Sequence, residues 1–104
     1  MLMKKYHLRY LPTAYQDLDE ITDYIKHVLQ KPMAAENILD KIESAILERL
    51  EAPESFAIWE TDTERPYPYR RINVGNYTVW YVVIDDVMEI RRILYAKRDE
   101  KNLI

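Results

Sequence analysis

Three strand-like segments fill most of the last third of the chain, and very short turns separate them. They run from Tyr69 to Val74, from Tyr77 to Ile84 and from Val87 to Tyr95, and each is rich in β-branched and aromatic residues. The intervening dipeptides, Gly75-Asn76 and Asp85-Asp86, are typical of tight hairpin turns. This pattern predicts an antiparallel meander of three strands.

The first half of the chain predicts one strand and two helices. Residues Tyr6 to Leu11 alternate in hydropathy, as a half-buried strand does. Apolar residues then recur at helical spacing from Thr13 to Gln30 and again between Pro32 and Pro53. At the start of the first of these helices, Thr13 and Gln16 have the spacing of a capping box. The order β-α-α-β-β-β predicts an α+β domain in which a helical hairpin packs on one face of the antiparallel meander.

Composition limits what such a domain can do. We expect residues 1–104 to form one domain without disulfides or thiolate chemistry, because the chain has no cysteine. Its formal net charge of -3 argues against general attraction to nucleic-acid phosphates, so any anion site has to be local. His7 and His27 have no partner at metal-ligand spacing, and we expect neither a metal nor a cofactor. The lack of a signal peptide or a long apolar run predicts a cytoplasmic protein with no membrane partner.

The middle strand is apolar on both sides, so something has to cover each side. One side, the helix face, carries Tyr77, Val79, Tyr81 and Val83, and the other, the second face, carries Thr78, Trp80, Val82 and Ile84. We assign the helix face to the core and expect Trp80 to be exposed on the second face as part of a partner-binding surface. The alternative is that Trp59 or Phe56, from the long segment between Pro53 and Pro68, folds over Trp80.

Basic residues cluster on the outer strands of the meander and just beyond its end. They are Arg70, Arg71, Arg91, Arg92, Lys97 and Arg98. Because adjacent strand residues face opposite ways, one arginine of each pair is expected on the second face, where two or three cations suffice to hold a phosphate. The alternative is that these arginines pair with the acidic residues nearby.

The segment from Tyr69 to Asp99, YRRINVGNYTVWYVVIDDVMEIRRILYAKRD, resembles the RelE/ParE superfamily of toxins from bacterial type II toxin-antitoxin systems. The shared pattern is a basic strand, a Gly-x-Tyr turn, a Y-x-V-x-Y strand, an acidic turn and a final I-x-R-I-L-Y strand with a basic end. The β-α-α-β-β-β order is also that of the family, and TAYQDLDEITDYI fits its first helix.

This resemblance implies a toxin that a cognate antitoxin holds inactive in a hetero-oligomer. RelE-like members cleave mRNA on the ribosome without a metal. Carried over by position, the catalytic candidates are Arg98, Arg70 or Arg71 for the scissile phosphate, and Tyr95 for proton transfer. The candidates for binding substrate or antitoxin on the second face are Trp80, Val82, Thr78, Arg92 and Lys97.

One departure from the family pattern leaves the activity open. Thr78 stands where active RelE-like nucleases often carry an arginine. Ribosome-dependent, metal-independent mRNA cleavage is the leading hypothesis. The alternatives are a ParE-like inhibitor of DNA gyrase with no chemistry of its own, and a degenerate relic that only binds its antitoxin.

Overall fold

The computed structural model describes residues 4–60 and 64–97, and its elements follow the predicted order. They are β1 His7–Tyr10, α1 Pro12–Asp23, a π-helical turn Tyr24–Val28 (the π-turn), α2 Pro32–Arg49, β2 Arg70–Val74, β3 Tyr77–Ile84 and β4 Val87–Tyr95. Both α-helices begin at proline, whose fixed φ and missing N–H suit the first position of a helix. The predicted α+β architecture is confirmed.

The four strands form one mixed sheet in the order β1-β4-β3-β2. Strands β2, β3 and β4 are the predicted antiparallel meander, whereas β1 joins the edge parallel to β4, with Leu8 opposite Met88. The turns between the meander strands use positive φ at Gly75 and at Asp85, as tight hairpins with right-handed twist require.

The main core lies between the helical hairpin and the helix face of the sheet. Its fully buried members are Ala14, Ile42, Ile46, Val79, Tyr81, Met88 and Ile90. Assignment of the Tyr77 face to the helices is confirmed, since Val79 and Tyr81 belong to this cluster and Tyr77 packs against it.

The predicted capping box does not form. Helix α1 begins at Pro12, one residue earlier than the pattern predicted, so Leu11 is the N-cap and Thr13 lies inside the first turn. The Thr13 hydroxyl instead donates a hydrogen bond of 3.0 Å to the carbonyl of Arg91. This bond ties the start of α1 to the middle of β4.

The connection between the helices departs from regular helical geometry. The first helix does not stay α-helical to Gln30, because α1 passes into the π-turn, in which the Leu29 N–H donates to the Tyr24 carbonyl at 3.1 Å. Gln30 then takes a positive φ of 55°, which is uncommon for a residue other than glycine. The Lys31 N–H donates back to the Ile25 carbonyl, which closes the turn before Pro32 begins α2.

Burial of tyrosine in this fold predicts a loss of stability at alkaline pH. Burial, with Glu43 and Tyr15 nearby, raises the pKa of Tyr10 to about 12 from an ordinary value of 10.0. The unfolded chain therefore releases this proton first, so the contribution of Tyr10 is complete below pH 10 and declines as the pH approaches 12. We expect the urea midpoint to fall over that range, and to fall less in Tyr10→Phe. An equal decline in both proteins would contradict this assignment.

Candidate functional site

The structure corrects the expected exposure of Trp80. Its side chain has 0% relative exposure and belongs to a second cluster with Tyr69, Val82 and Leu94. The Trp59 ring packs edge-on against it at 4.9 Å between centroids. The alternative in which the long segment folds over Trp80 is therefore the one observed, because a bare indole on this face would leave a large apolar surface in water.

Backbone and side-chain contacts hold the covering segment in place. The Trp59 N–H donates to the Tyr69 carbonyl at 2.6 Å. The Arg49 guanidinium stacks 3.5 Å from the centre of the Phe56 ring. It also donates a hydrogen bond to the Tyr81 hydroxyl, and this hydroxyl donates one to the Pro53 carbonyl. Phe56 thus packs on Arg49, and of the two residues proposed as covers only Trp59 contacts Trp80.

Arg49 is therefore predicted to stabilise the segment that covers the second face. Arg49→Ala removes the stacking on Phe56 and leaves the Tyr81 hydroxyl without this donor, so we expect a loss of about 1.5 to 3 kcal/mol in the free energy of unfolding. Urea denaturation measures it, with limited proteolysis between residues 54 and 60 as a local readout. Lys41→Ala, an exposed cation on the same helix, is the matched control. Equal stability of the two variants would contradict the role of Arg49.

Two further residues predicted on an exposed second face are also buried. Val82 has 0% relative exposure and Thr78 has 2%. The Thr78 hydroxyl donates to the side-chain oxygen of Asn73 on β2 at 3.4 Å. Both were expected to contact a partner, and the covering segment and the neighbouring strands enclose them instead.

The arginine pair on β2 divides between the two faces of the sheet. Arg70 lies opposite Tyr81 on the helix face, where its Nε donates to the Phe56 carbonyl at 3.1 Å. Arg71 lies opposite Trp80 on the second face, with its guanidinium 5.8 Å from the Trp80 ring. Arg71 is exposed and has no carboxylate partner among residues 4–60 and 64–97. Of the two, Arg71 is the one available to an external anion.

The arginine pair on β4 is divided by a β-bulge. Trp80 pairs with Arg92 and Tyr81 with Ile90, so Arg91 is the extra residue. The bulge interrupts the alternation of side chains along β4. Arg91 lies over the Tyr69 ring of the second face. Arg92 reaches α1, where its Nε and Nη2 donate to the two Asp17 carboxylate oxygens at 2.8 and 3.0 Å. The expectation that Arg92 lines the second face is wrong.

Asp17 is a structural residue that the sequence analysis missed. Its carboxylate is buried, and besides Arg92 it accepts a hydrogen bond from the Ile93 N–H at 2.9 Å. A signal was present, because Asp17 stands three residues after Ala14 and four before Ile21, on the apolar stripe of α1. An acid on that stripe predicts a buried cation opposite it.

The remaining predicted residues are the catalytic candidates Tyr95 and Arg98 and the binding candidate Lys97. Tyr95 lies opposite Tyr77 on the helix face, and the two rings meet edge-on at 5.8 Å. Lys97 is exposed just after β4. Arg98 lies outside the residues that the structure describes. Tyr95 and Arg71 are therefore on opposite faces of the sheet.

The second face carries cations that the sequence analysis did not assign to a site. The buried Glu89 carboxylate accepts bonds from Arg9 of β1 at 2.7 Å and from Arg91 at 2.8 Å. The Arg65 guanidinium lies 4.8 Å from the centre of the Tyr69 ring. With Arg71, these side chains give the second face a positive rim around an aromatic centre, on a chain that is acidic overall. Arg9 could have been recognised from its place on the polar side of β1.

The described residues contain no group of three potential metal ligands among His, Cys, Asp and Glu. Within the same residues, none of the helices combines the length and apolar character needed to span a bilayer.

The sequence itself identifies the family to which this sheet and hairpin belong. A family model described as the ParE toxin of the type II toxin-antitoxin system, parDE, matches residues 8–100. The chain belongs to the ParE toxin family. The resemblance to the RelE/ParE superfamily is thereby confirmed, and the match extends over both the helical hairpin and the meander.

Solved structures share the fold of this ParE-family toxin at low sequence identity. A structure of the chromosomal ParDE toxin-antitoxin system from P. aeruginosa aligns with a TM-score of 0.76 at 20% identity, over 90% of this chain and 99% of that one. The isolated E. coli RelE toxin aligns at 0.56 and 18%, over 94% and 92%. YafQ from E. coli strain BL21(DE3) aligns at 0.53 and 14%, over 95% and 98%. No curated protein sequence matches significantly.

Proposed function

We propose that this ParE-family toxin acts by binding a protein target, DNA gyrase, and does not cleave RNA. The observation that carries the proposal is the separation of the described catalytic candidates. Cleavage by a 2'-hydroxyl requires a cation at the phosphate and a proton-transferring group within hydrogen-bond reach of the same reacting atoms. The described part of the chain offers no such arrangement.

The distances along the sheet support this argument. Arg70 and Tyr95 share the helix face, but Arg70 pairs with Tyr81 of β3 and Tyr95 pairs with Tyr77. Tyr77 and Tyr81 are four residues apart, which separates them by about 13 Å along the strand. Arg71 projects from the opposite face. Thr78, at the position where the RelE-like nucleases often have an arginine, is enclosed and bonded to Asn73.

The environment of Tyr95 also argues against catalysis. Its ring packs against Tyr77 and borders a cleft whose lining includes the carboxylates of Asp17 and Glu20, with no lysine or arginine among the described lining residues. A phosphate beside the Tyr95 hydroxyl would therefore face carboxylates and no cation of the described lining.

A cognate antitoxin is the second proposed partner. Membership of the ParE toxin family of toxin-antitoxin systems supports it, as does the likeness to the P. aeruginosa ParDE structure. We propose a toxin-antitoxin hetero-oligomer in which the antitoxin keeps gyrase from binding. The positive rim on the second face would suit an acidic portion of that antitoxin.

Induction in cells separates the two activities. Expression without antitoxin should activate a DNA-damage reporter and cause filamentation while incorporation of labelled methionine continues at early times. Tyr95→Phe keeps the ring contact with Tyr77 and removes the phenol, and we expect it to inhibit growth as strongly as the unmodified toxin. Tyr67→Phe, which removes an exposed phenol outside the site, is the matched control.

The opposite sequence of events would overturn the proposal. If protein synthesis stops before the DNA-damage reporter responds, and Tyr95→Phe abolishes that arrest, mRNA cleavage is the activity. If neither response occurs and growth is unaffected, the chain is a relic that only binds its antitoxin.

A further inference from the structure

A cleft at the tip of the helical hairpin lies apart from the second face. It has a volume of about 650 Å³ and opens between the second half of α1, the π-turn and the end of the sheet at which β3 begins and β4 ends. Its lining residues are Asp17, Glu20, Ile21, Tyr24, Leu29, Asn76, Tyr77, Ile93 and Tyr95. Three tyrosines and two acids thus line one cleft, and Asp17 and Tyr77 among them also contribute to the fold.

The three tyrosines are close enough to act together. The Tyr77 and Tyr95 rings meet at 5.8 Å with an interplanar angle of 65°. Burial raises the pKa of Tyr77, and the neighbouring phenols of Tyr95 and Tyr24 raise it further. Tyr24 and Tyr95 are 53% and 39% exposed, at the mouth of the cleft.

The charge of the cleft favours a cation. Arg92 and the Ile93 N–H already engage the Asp17 carboxylate. The Glu20 carboxylate is exposed at the rim, accepts a hydrogen bond of 3.3 Å from the Gln16 amide and, after Asp17, contributes to raising the pKa of Arg92. Aromatic rings beside a carboxylate form the kind of site that attracts an ammonium or guanidinium group.

The backbone beside the cleft supplies an independent indication of a binding site. The π-turn contributes Tyr24 to the lining, and π-helical turns are frequent at functional sites. Val28, Leu29 and Met33 next to it are 65%, 46% and 75% exposed. An apolar patch of this kind beside a cation site fits a protein segment better than a free small cation.

We propose that this cleft binds a lysine or arginine side chain that an apolar segment of a partner protein presents. The cation lies among Tyr24, Tyr77 and Tyr95 with Glu20 as its counter-ion. The flanking apolar residues of the partner cover Val28, Leu29 and Met33. The site is independent of whether gyrase or RNA is the target of the toxin.

A peptide pair that differs in one charge tests the proposal. The probe is the acetylated, amidated tripeptide Leu-Arg-Leu, and its control replaces arginine by neutral citrulline. In amide NMR spectra of the full chain, we expect saturable shifts at Tyr24, Asn76 and Tyr77, with the citrulline peptide weaker by about fivefold or more. Glu20→Gln should weaken the arginine peptide by about two- to fivefold, whereas Asp19→Asn, the same charge change one residue away on α1, should not.

Three results would overturn it. They are the absence of saturable shifts at the cleft, equal binding of the two peptides, and equal effects of Glu20→Gln and Asp19→Asn. Self-association in sedimentation velocity that Tyr24→Ala abolishes would also overturn the proposal, because a second copy of the chain would then cover the cleft.

Discussion

Replacement of Asp17 by alanine is expected to lower the free energy of unfolding by about 3 to 5 kcal/mol, as the loss of one partner from a buried ion pair does. Arg92, whose side chain is only 27% exposed, would lose both hydrogen bonds to the carboxylate. The Ile93 N–H on β4 would lose its acceptor as well. Urea denaturation of the purified chain measures the change.

The matched control for Asp17 is another acid on the same helix. Asp19→Ala removes an exposed carboxylate with no described ion-pair partner, and it should change stability by less than about 0.5 kcal/mol. The double variant Asp17→Leu with Arg92→Leu should recover much of the loss, because it leaves no buried charge unpaired. A cost of Asp17→Ala equal to that of Asp19→Ala would contradict the pair's role in holding α1 to β4.

Replacement of Trp80 by alanine is also expected to cost about 3 to 5 kcal/mol, the range for removal of a large buried aromatic side chain. The indole packs against Trp59 and Tyr69 at 4.9 and 6.2 Å between ring centroids. Trp80→Phe should cost less than half as much, because it keeps an aromatic ring and removes an indole N–H that has no hydrogen-bond partner among the described residues.

This expectation replaces the sequence-based view of Trp80 as an exposed anchor for the antitoxin. On that view, Trp80→Ala would leave the fold intact and weaken antitoxin binding. Thermal unfolding followed by circular dichroism distinguishes the two. An unchanged midpoint in Trp80→Ala, together with weaker antitoxin binding, would contradict burial by the segment that carries Trp59.

The fold was predictable because its signals are local in sequence. Alternation along β3, together with the turns at Gly75-Asn76 and Asp85-Asp86, specifies the meander without reference to distant residues. Helical spacing on both sides of the Lys31-Pro32 break specifies the hairpin in the same way. The parallel pairing of β1 with β4 is a long-range choice, and the sequence pattern contains no sign of it.

The environment of the predicted site residues depended on long-range contacts, and there the sequence was a poorer guide. Whether Trp59 folds over Trp80 depends on a bond between Trp59 and Tyr69 that no periodicity indicates. The β-bulge at Arg91 interrupts the alternation along β4, on which the assignment of Arg92 to the second face depended. Arg92 stays opposite Trp80 in register, but its guanidinium pairs with Asp17 of α1.

The most direct test of the central claim is a supercoiling assay with purified DNA gyrase, relaxed plasmid and increasing amounts of the toxin. We expect supercoiling to fall as the toxin approaches equimolar ratio with gyrase, to fall equally with Tyr95→Phe, and to recover when the cognate antitoxin is added first. Full supercoiling in the presence of excess folded toxin would contradict the proposal that the chain acts by binding gyrase.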